Sequence, residues 1–205
     1  MHSSITQHLT RTDPTLAALI AAVGELPPIQ PSRGVFHDLV SCLVDQQVPQ
    51  RSRHGVYLKK LIDLLDGAMP DPHRVLTIDE ADWTRNKLAN PKYHRLRGLA
   101  ERWIDSGWTE PEWHALPDET VRARLQILPG IGPQSIDMLL LYTLEQPDIF
   151  PPGDYHVKRA MAAFYELDPK PAKAFTERMR TISAPWAPYR SYATRYLLAA
   201  LHLSG

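Results

Sequence analysis

The residues best suited to chemistry are a glycine-containing turn and an acidic residue that follows it along the chain. The turn is Leu-Pro-Gly-Ile-Gly-Pro at residues 128–133, and the acid is Asp154, which comes after Phe-Pro-Pro-Gly at 150–153. Gly130 and Gly132 allow backbone angles that are closed to other residues, and they let the chain approach a ligand closely. A helix that begins directly after the turn would direct its N–H groups and its dipole at an anion such as a DNA phosphate. The sequence therefore predicts a phosphate-binding turn, and it places a carboxylate that could take part in chemistry on the same chain.

Each half of this motif also has a purely structural interpretation. The turn alone is typical of a joint between two packed helices. Asp154 precedes Tyr-His-Val-Lys at 155–158, where aspartate is a favourable helix N-cap. Capping and catalysis are compatible roles for one carboxylate, and the combination of turn and acid favours chemistry on a nucleic acid.

Composition limits the classes of function that are open to the chain. Its 205 residues include one cysteine, Cys42, which excludes a disulfide framework and an all-cysteine metal site within the chain. The 23 basic residues balance the 23 acidic ones, so bulk electrostatics would not hold this protein on nucleic acid, and we expect a modest salt dependence. The basic residues nevertheless form two clusters, which are also open to interpretation as solvated helix faces. The clusters are Arg85, Lys87, Lys92, Arg95, Arg97 and Arg102, and Lys158, Arg159, Lys170, Lys173, Arg178 and Arg180.

The elements that must position the motif are predicted to be helices separated by proline-rich joints. The chain has 19 prolines and 10 glycines, and it has few alternating β-branched runs. Asp13 followed by Pro14 is a helix start, and residues 1–34 are interpreted as one helix and a proline linker. Apolar stripes with helical spacing predict an all-α fold. They lie at about 36–44, 51–65, 93–108, 118–125, 135–143, 157–165, 172–182 and 189–202.

The combination of these segments resembles the helix–hairpin–helix DNA glycosylases, and most closely the AlkA-type 3-methyladenine DNA glycosylases. The similarity rests on residues 128–135 with 150–159, on the segment 36–49, and on Trp-Ala-Pro-Tyr-Arg-Ser-Tyr-Ala at 186–193. It implies two helical lobes with the active site in the groove between them. One lobe is 35–145, which ends in the hairpin, and the other combines 1–34 with 146–205.

The resemblance implies a monofunctional DNA glycosylase that flips out and excises alkylated bases of the 3-methyladenine and 7-methylguanine class, thereby starting base excision repair. Asp154 is the expected catalytic carboxylate, because cleavage of the N-glycosidic bond develops positive charge on the sugar. Family members that also cut the strand carry a Schiff-base lysine two residues after the last glycine of the hairpin. Gln134 occupies that position here, which implies base removal without AP-lyase activity.

The resemblance also assigns roles to residues around the motif. Gln134, Tyr155, Met138 and Leu198 are expected to line the base pocket, and many AlkA-type enzymes carry an aromatic residue where Gln134 stands. For Tyr155, the structural alternative is burial in the core. The remaining expected contacts are the duplex wedge, Gln47 followed by Gln46, and the phosphate-binding residues Gly130, Gly132, Ser135 and Lys158.

The expected partner is damaged double-stranded DNA, bound by a monomer. No cofactor is expected apart from a structural monovalent cation at the hairpin, held by the backbone carbonyls of Gln126, Leu128 and Ile131. No apolar run approaches the ~20 residues of a membrane span, so we expect a cytoplasmic protein at the bacterial nucleoid, or a nuclear one in a eukaryote. Two alternatives stay open: a glycosylase for 8-oxoguanine, uracil or a deaminated purine, and a non-catalytic DNA-binding module.

Overall fold

The computed structural model describes residues 2–45 and 55–203, and within these ranges it contains helices and no strand. The prediction of an all-α fold is therefore confirmed. The helices are α1 (His2–Thr12), α2 (Pro14–Val23), α3 (Val35–Asp45), α4 (Val56–Leu64), α5 (Pro72–Thr77), α6 (Glu80–Arg85), α7 (Asn90–Asp105), α8 (Asp118–Leu125), α9 (Pro133–Tyr142), α10 (Tyr155–Phe164), α11 (Ala172–Ser183) and α12 (Arg190–Leu203), with short 3-10 helices at Glu110–Ala115 and Ala184–Trp186. No helix in the described ranges is both long and apolar enough to cross a membrane.

The chain divides into two compact units. Unit 1 combines Met1–Gln30 with Leu140–Gly205, and unit 2 is Pro31–Leu139. The hairpin turn belongs to unit 2, and Asp154 belongs to unit 1. The predicted lobes, 35–145 with the hairpin and 1–34 plus 146–205 with the catalytic Asp, stay a prediction.

Unit 1 is built around an apolar core that includes a buried carboxylate. The core contains Leu16, Met161 and Trp186, all without exposed surface. The Asp13 carboxylate caps α2 by accepting from the backbone N–H of Leu16 at 3.0 Å, as its position before Pro14 predicted. Its other oxygen accepts from the Tyr165 hydroxyl at 2.9 Å and the Trp186 indole N–H at 2.8 Å. Three donors compensate the burial of this charge, so Asp13 joins the start of α2 to distant parts of the same unit.

The prediction of one helix in residues 1–34 was wrong, because α1 precedes α2. The first residues are mostly polar, but Ile5 and Leu9 lie one helical turn apart on one face. Both side chains are buried in the core of unit 1, and Leu9 has no exposed surface. Two apolar residues are too few to give a periodic pattern, so only packing reveals this helix.

Unit 2 contains an aromatic cluster that fixes α3 and α7. The rings of Trp103 and Trp113 stack with centroids 5.4 Å apart, and Phe36 meets Trp103 edge-on at 5.2 Å. The Glu110 carboxylate accepts from the backbone N–H groups of Val35 and Phe36 at 2.7 and 2.9 Å. A side chain distant in sequence therefore caps α3, whose other end leads into residues 46–54.

Candidate active site

The hairpin turn is a tight loop between α8 and α9. The Leu128 N–H donates to the Leu125 carbonyl at 3.0 Å, and the Ile131 N–H donates to the Leu128 carbonyl at 3.1 Å. Leu128 and Ile131 are 3% and 6% exposed, whereas Gly130 lies at the surface. The two apolar side chains therefore anchor the loop and leave its glycine accessible.

The two glycines of the turn differ in backbone conformation and in the space around them. Gly130 has a φ of 88°, in the left-handed region that favours glycine. A Cβ at Gly130 would lie 2.8 Å from the Arg95 Cδ and 3.0 Å from the Leu43 Cδ2. Gly132 has neither constraint, because its φ is not positive and a Cβ there would meet nothing within 4 Å. Of the two glycines, Gly130 therefore uses the conformational freedom that glycine provides, and Gly132 does not.

The start of α9 is fixed to unit 2 by side chains. The Arg122 guanidinium of α8 pairs with the Asp137 carboxylate of α9 at 2.7 Å. The Ser135 hydroxyl accepts from the Cys42 thiol of α3 at 3.2 Å. These contacts hold α9 in place while its first turn, which carries no acidic residue, follows the hairpin loop. The helix N-terminus is therefore compatible with binding an external anion.

Asp154 is a buried N-cap. It is 8% exposed, and its Oδ1 accepts from the backbone N–H of Val157 at 2.9 Å at the start of α10. The Asp154 N–H donates to the Pro151 carbonyl at 3.1 Å, which closes the turn before the helix. The predicted cap role is confirmed, and the single orientation it imposes on the carboxylate is what a catalytic role also requires.

The first turn of α12 holds the segment that leads to Asp154. Arg190 Nε and a terminal guanidinium nitrogen each donate to an Asp148 oxygen at 2.8 Å. The buried Ser191 hydroxyl donates to the Gln146 carbonyl at 2.5 Å and accepts from the Ile149 N–H at 2.8 Å. Burial raises the pKa of Asp148, but the hydrogen bonds from Arg190 outweigh this and hold it below the ordinary value. The approach to Asp154 is therefore fixed by side chains from α12.

Tyr142 interacts electrostatically with Asp154, and the sequence motif does not mark it. Burial raises the pKa of Tyr142, the Arg195 charge opposes this, and the Asp154 charge adds to it. The three groups thus lie close enough for their charges to interact. Nothing in the spacing of the motif marks Tyr142, which ends an apolar run on α9.

The predicted pocket and phosphate residues have different environments. Tyr155 is 61% exposed, so the alternative of core burial is excluded, and Arg159 lies over its ring at 5.9 Å. Lys158 is half-buried, and Leu198 packs against the core of unit 1. In unit 2, Gln134 is exposed and Met138 is half-buried. Whether the four pocket residues line one base pocket stays a prediction. The predicted wedge, Gln46 and Gln47, lies outside the described residues.

The three proposed cation ligands belong to the same short loop. The Leu128 carbonyl accepts one hydrogen bond, from Ile131, and a carbonyl oxygen has a second lone pair. Neutral carbonyl oxygens are suitable ligands for a hard cation. Together with Gln126 and Ile131, this donor set fits the predicted monovalent cation, which stays a prediction.

Residues 40–187 match the model of the HhH-GPD superfamily base excision DNA repair proteins. The chain belongs to this superfamily. Helix–hairpin–helix is thus the correct description of α8, the loop and α9, and the family resemblance inferred from the motif is confirmed.

Individual relatives agree with this assignment. YfjP of Bacillus subtilis, provisionally named a DNA-3-methyladenine glycosylase, is 25% identical over 83% of this chain and 60% of its own length. AlkA of Mycobacterium tuberculosis, provisionally described as a bifunctional transcriptional activator and DNA repair enzyme, is 35% identical over 92% of this chain. The chain spans only 38% of that protein. The 3-methyladenine DNA glycosylase Mag1 of Schizosaccharomyces pombe, solved with abasic DNA, has the same fold, with a TM-score of 0.81, 24% identity and 95% of both chains covered.

Proposed function

We propose that this protein is a monofunctional DNA glycosylase that flips out and excises alkylated bases of the 3-methyladenine and 7-methylguanine class. The observation that carries the proposal is Asp154, a buried and oriented carboxylate that follows the hairpin in a member of a base excision repair superfamily. Relatives named as DNA-3-methyladenine glycosylases support the substrate class.

The chemistry needs few protein groups. Breaking the N-glycosidic bond develops positive charge on the sugar, and the Asp154 carboxylate would stabilise it and orient the attacking water. An alkylated purine that already carries a positive charge leaves without help from a second acid. Flipping the base costs a few kcal/mol, which stacking on the exposed Tyr155 and filling of the gap by Gln47 or Gln46 would offset.

The decisive experiment measures bases released from methylated duplex DNA by wild type and by Asp154→Asn. Asparagine is as good an N-cap as aspartate, so the variant should unfold at the wild-type temperature while base release falls on the order of 10²-fold or more. Asp79→Asn is the matched control, because Asp79 caps α6 through the Ala81 N–H at 2.7 Å and is exposed. Equal release by wild type and Asp154→Asn would contradict the catalytic assignment.

We also propose that the protein removes bases without cutting the strand. Gln134 stands two residues after Gly132 and is exposed, and an amide cannot form a Schiff base. Borohydride treatment of a reaction on damaged DNA should therefore trap no covalent complex with wild type. Gln134→Lys should begin to trap one if this position faces the sugar. A trapped complex with wild type would overturn the proposal.

A second candidate is a glycosylase for a different lesion. The exposed Gln134 amide favours it, because an aromatic ring at this position would stack on a cationic base, whereas an amide hydrogen-bonds to a polar base edge. Release from a panel containing 3-methyladenine, 7-methylguanine, 8-oxoguanine, uracil and hypoxanthine separates the two. Exclusive release of one of the last three would replace the alkylated-base assignment.

A further inference from the structure

Helix α7 places a cation beside the hairpin. The closest approach to Gly130 comes from Arg95, because a Cβ on that glycine would lie 2.8 Å from the Arg95 Cδ and 3.4 Å from its Nε. The stem of the side chain and the first nitrogen of its guanidinium therefore pack directly on the glycine of the turn. Arg95 is half-buried in this position.

Arg95 has no hydrogen-bond acceptor among the residues that the structure describes. It makes no hydrogen bond or ion pair with any residue that the structure describes, and residues 46–54, outside those ranges, include no Asp or Glu. By contrast, the following arginines of unit 2 have carboxylate partners: Arg74 with Asp71, Arg85 with Asp82, Arg97 with Glu101, Arg122 with Asp137, and Arg124 with Glu112.

Arg95 also has a like charge in its vicinity, that of Lys92. Burial lowers the pKa of Lys92, which lies one turn earlier on α7, and the positive charge of Arg95 lowers it further, against the opposing effects of Tyr57 and Asp45. The Lys92 ammonium donates to the Val44 carbonyl at 2.6 Å, whereas Arg95 has no backbone acceptor among the described residues. A half-buried guanidinium with a like charge nearby is unfavourable until an anion approaches it.

We propose that Arg95 binds a phosphate of the DNA backbone beside the hairpin. The inference rests on the proposed function to the extent that the ligand is duplex DNA. The hairpin itself offers neutral backbone N–H groups, and the guanidinium adds the formal charge and a planar pair of donors that match phosphate oxygens. A chain of zero net charge thereby acquires a local positive field where it needs one.

The test compares Arg95→Gln, Arg95→Lys and wild type for binding to a duplex with an abasic-site analogue, over a series of KCl concentrations. Loss of one phosphate contact should reduce the slope of log K against log salt by about 0.9. Affinity should fall about tenfold or more, since hydrogen bonds to charged groups contribute ~1.5–3 kcal/mol. Arg95→Lys should keep the slope and lose only part of the affinity, because it retains the charge without the planar donor pair.

Arg85→Gln is the matched control, because it removes the same charge from α7's neighbour α6, where the guanidinium already pairs with Asp82 at 2.6 Å. It should leave slope and affinity unchanged. An Arg95→Gln slope equal to that of wild type, or equal slope changes in Arg95→Gln and Arg85→Gln, would overturn the inference. Base release by the wild-type protein is measured separately. If wild type releases bases but Arg95→Gln has the wild-type salt slope, only the inference about Arg95 is refuted. If Arg95→Gln changes the salt slope but wild type releases no base, only the glycosylase proposal is refuted.

Discussion

The hairpin turn and the Asp154 turn differ in what accepts hydrogen bonds from the free N–H groups of the helix that each one opens. Both are proline-containing turns that open a helix, and a helix start carries N–H groups that its own turns do not use. At α10 the protein supplies the acceptor, because Asp154 caps Val157. At α9 the first turn contains no acidic residue. One helix start is thus completed by the chain's own carboxylate, and the other suits an anion from outside.

The two turns are also stabilised by different means. The hairpin depends on backbone geometry, since Gly130 has a positive φ and little room for a side chain. The segment before Asp154 depends on side chains from α12, through Arg190 with Asp148 and through Ser191. The comparison indicates that the hairpin turn and the Asp154 turn tolerate substitution at different kinds of positions.

Among substitutions in the two turns, Gly130→Val is expected to lower the free energy of unfolding most. A β-branched residue at a φ of 88° is strained by ~1–3 kcal/mol. Overpacking against Arg95 and Leu43 adds ~1–3 kcal/mol. Chemical denaturation should show a correspondingly lower free energy of unfolding.

Gly132→Ala is the control for that substitution. Open space surrounds the added methyl group, so stability should stay within ~0.5 kcal/mol of wild type. Weaker binding to abasic-analogue DNA would then report approach of DNA to the turn. Equal destabilisation by Gly130→Val and Gly132→Ala would remove the distinction between the two glycines.

Ser191→Ala should have the next largest effect. It leaves the buried Ile149 N–H without its acceptor, at a cost of ~1–3 kcal/mol. Because the loosened segment leads to Asp154, base release should fall by more than the unfolded fraction explains, while affinity for abasic-analogue DNA stays the same. A decrease that matches the unfolded fraction would show that Ser191 contributes only stability.

Asp154→Ala should destabilise the protein by about 1 kcal/mol, the usual loss for an N-cap, and Asp154→Asn should not. Thermal unfolding of the two variants separates the cap from the proposed catalytic role, since both variants should lose base release. If both variants unfold at the wild-type temperature, the contrast between the starts of α9 and α10 has no energetic basis.

The smallest effect is expected from Asp148→Asn, which should change the free energy of unfolding only at acidic pH. The folded-state pKa of Asp148 is below its ordinary value of 3.8, so its contribution to stability is present above about pH 3.8 and is lost as the pH falls through the folded pKa. Asp148→Asn should therefore flatten the acid limb of the stability curve below that pH. Urea unfolding across this range tests it, with Asp63→Asn, an exposed i,i+4 partner of Lys59, as the control. An unchanged acid limb would show that Arg190 does not hold this carboxylate.

Much of the secondary structure could be predicted from the sequence, because its signals are local. Asp13 before Pro14 marks a helix N-terminus, and the structure has a side-chain cap there. The apolar stripes gave α8 its bounds and placed α9 within two residues of its start. Helix α1 was missed because its contribution to the core depends on Ile5 and Leu9 meeting side chains more than a hundred residues away.

The sequence by itself determined the all-α class and the motif in which the hairpin precedes Asp154. These features follow from residue types that lie close together in the sequence. Only the tertiary structure decided that Gly130 is constrained while Gly132 is not, that Arg95 packs on the hairpin with no acceptor among the described residues, and that α12 holds the approach to Asp154. Each of these depends on side chains that packing brings together from separate elements, and no local pattern encodes which ones meet.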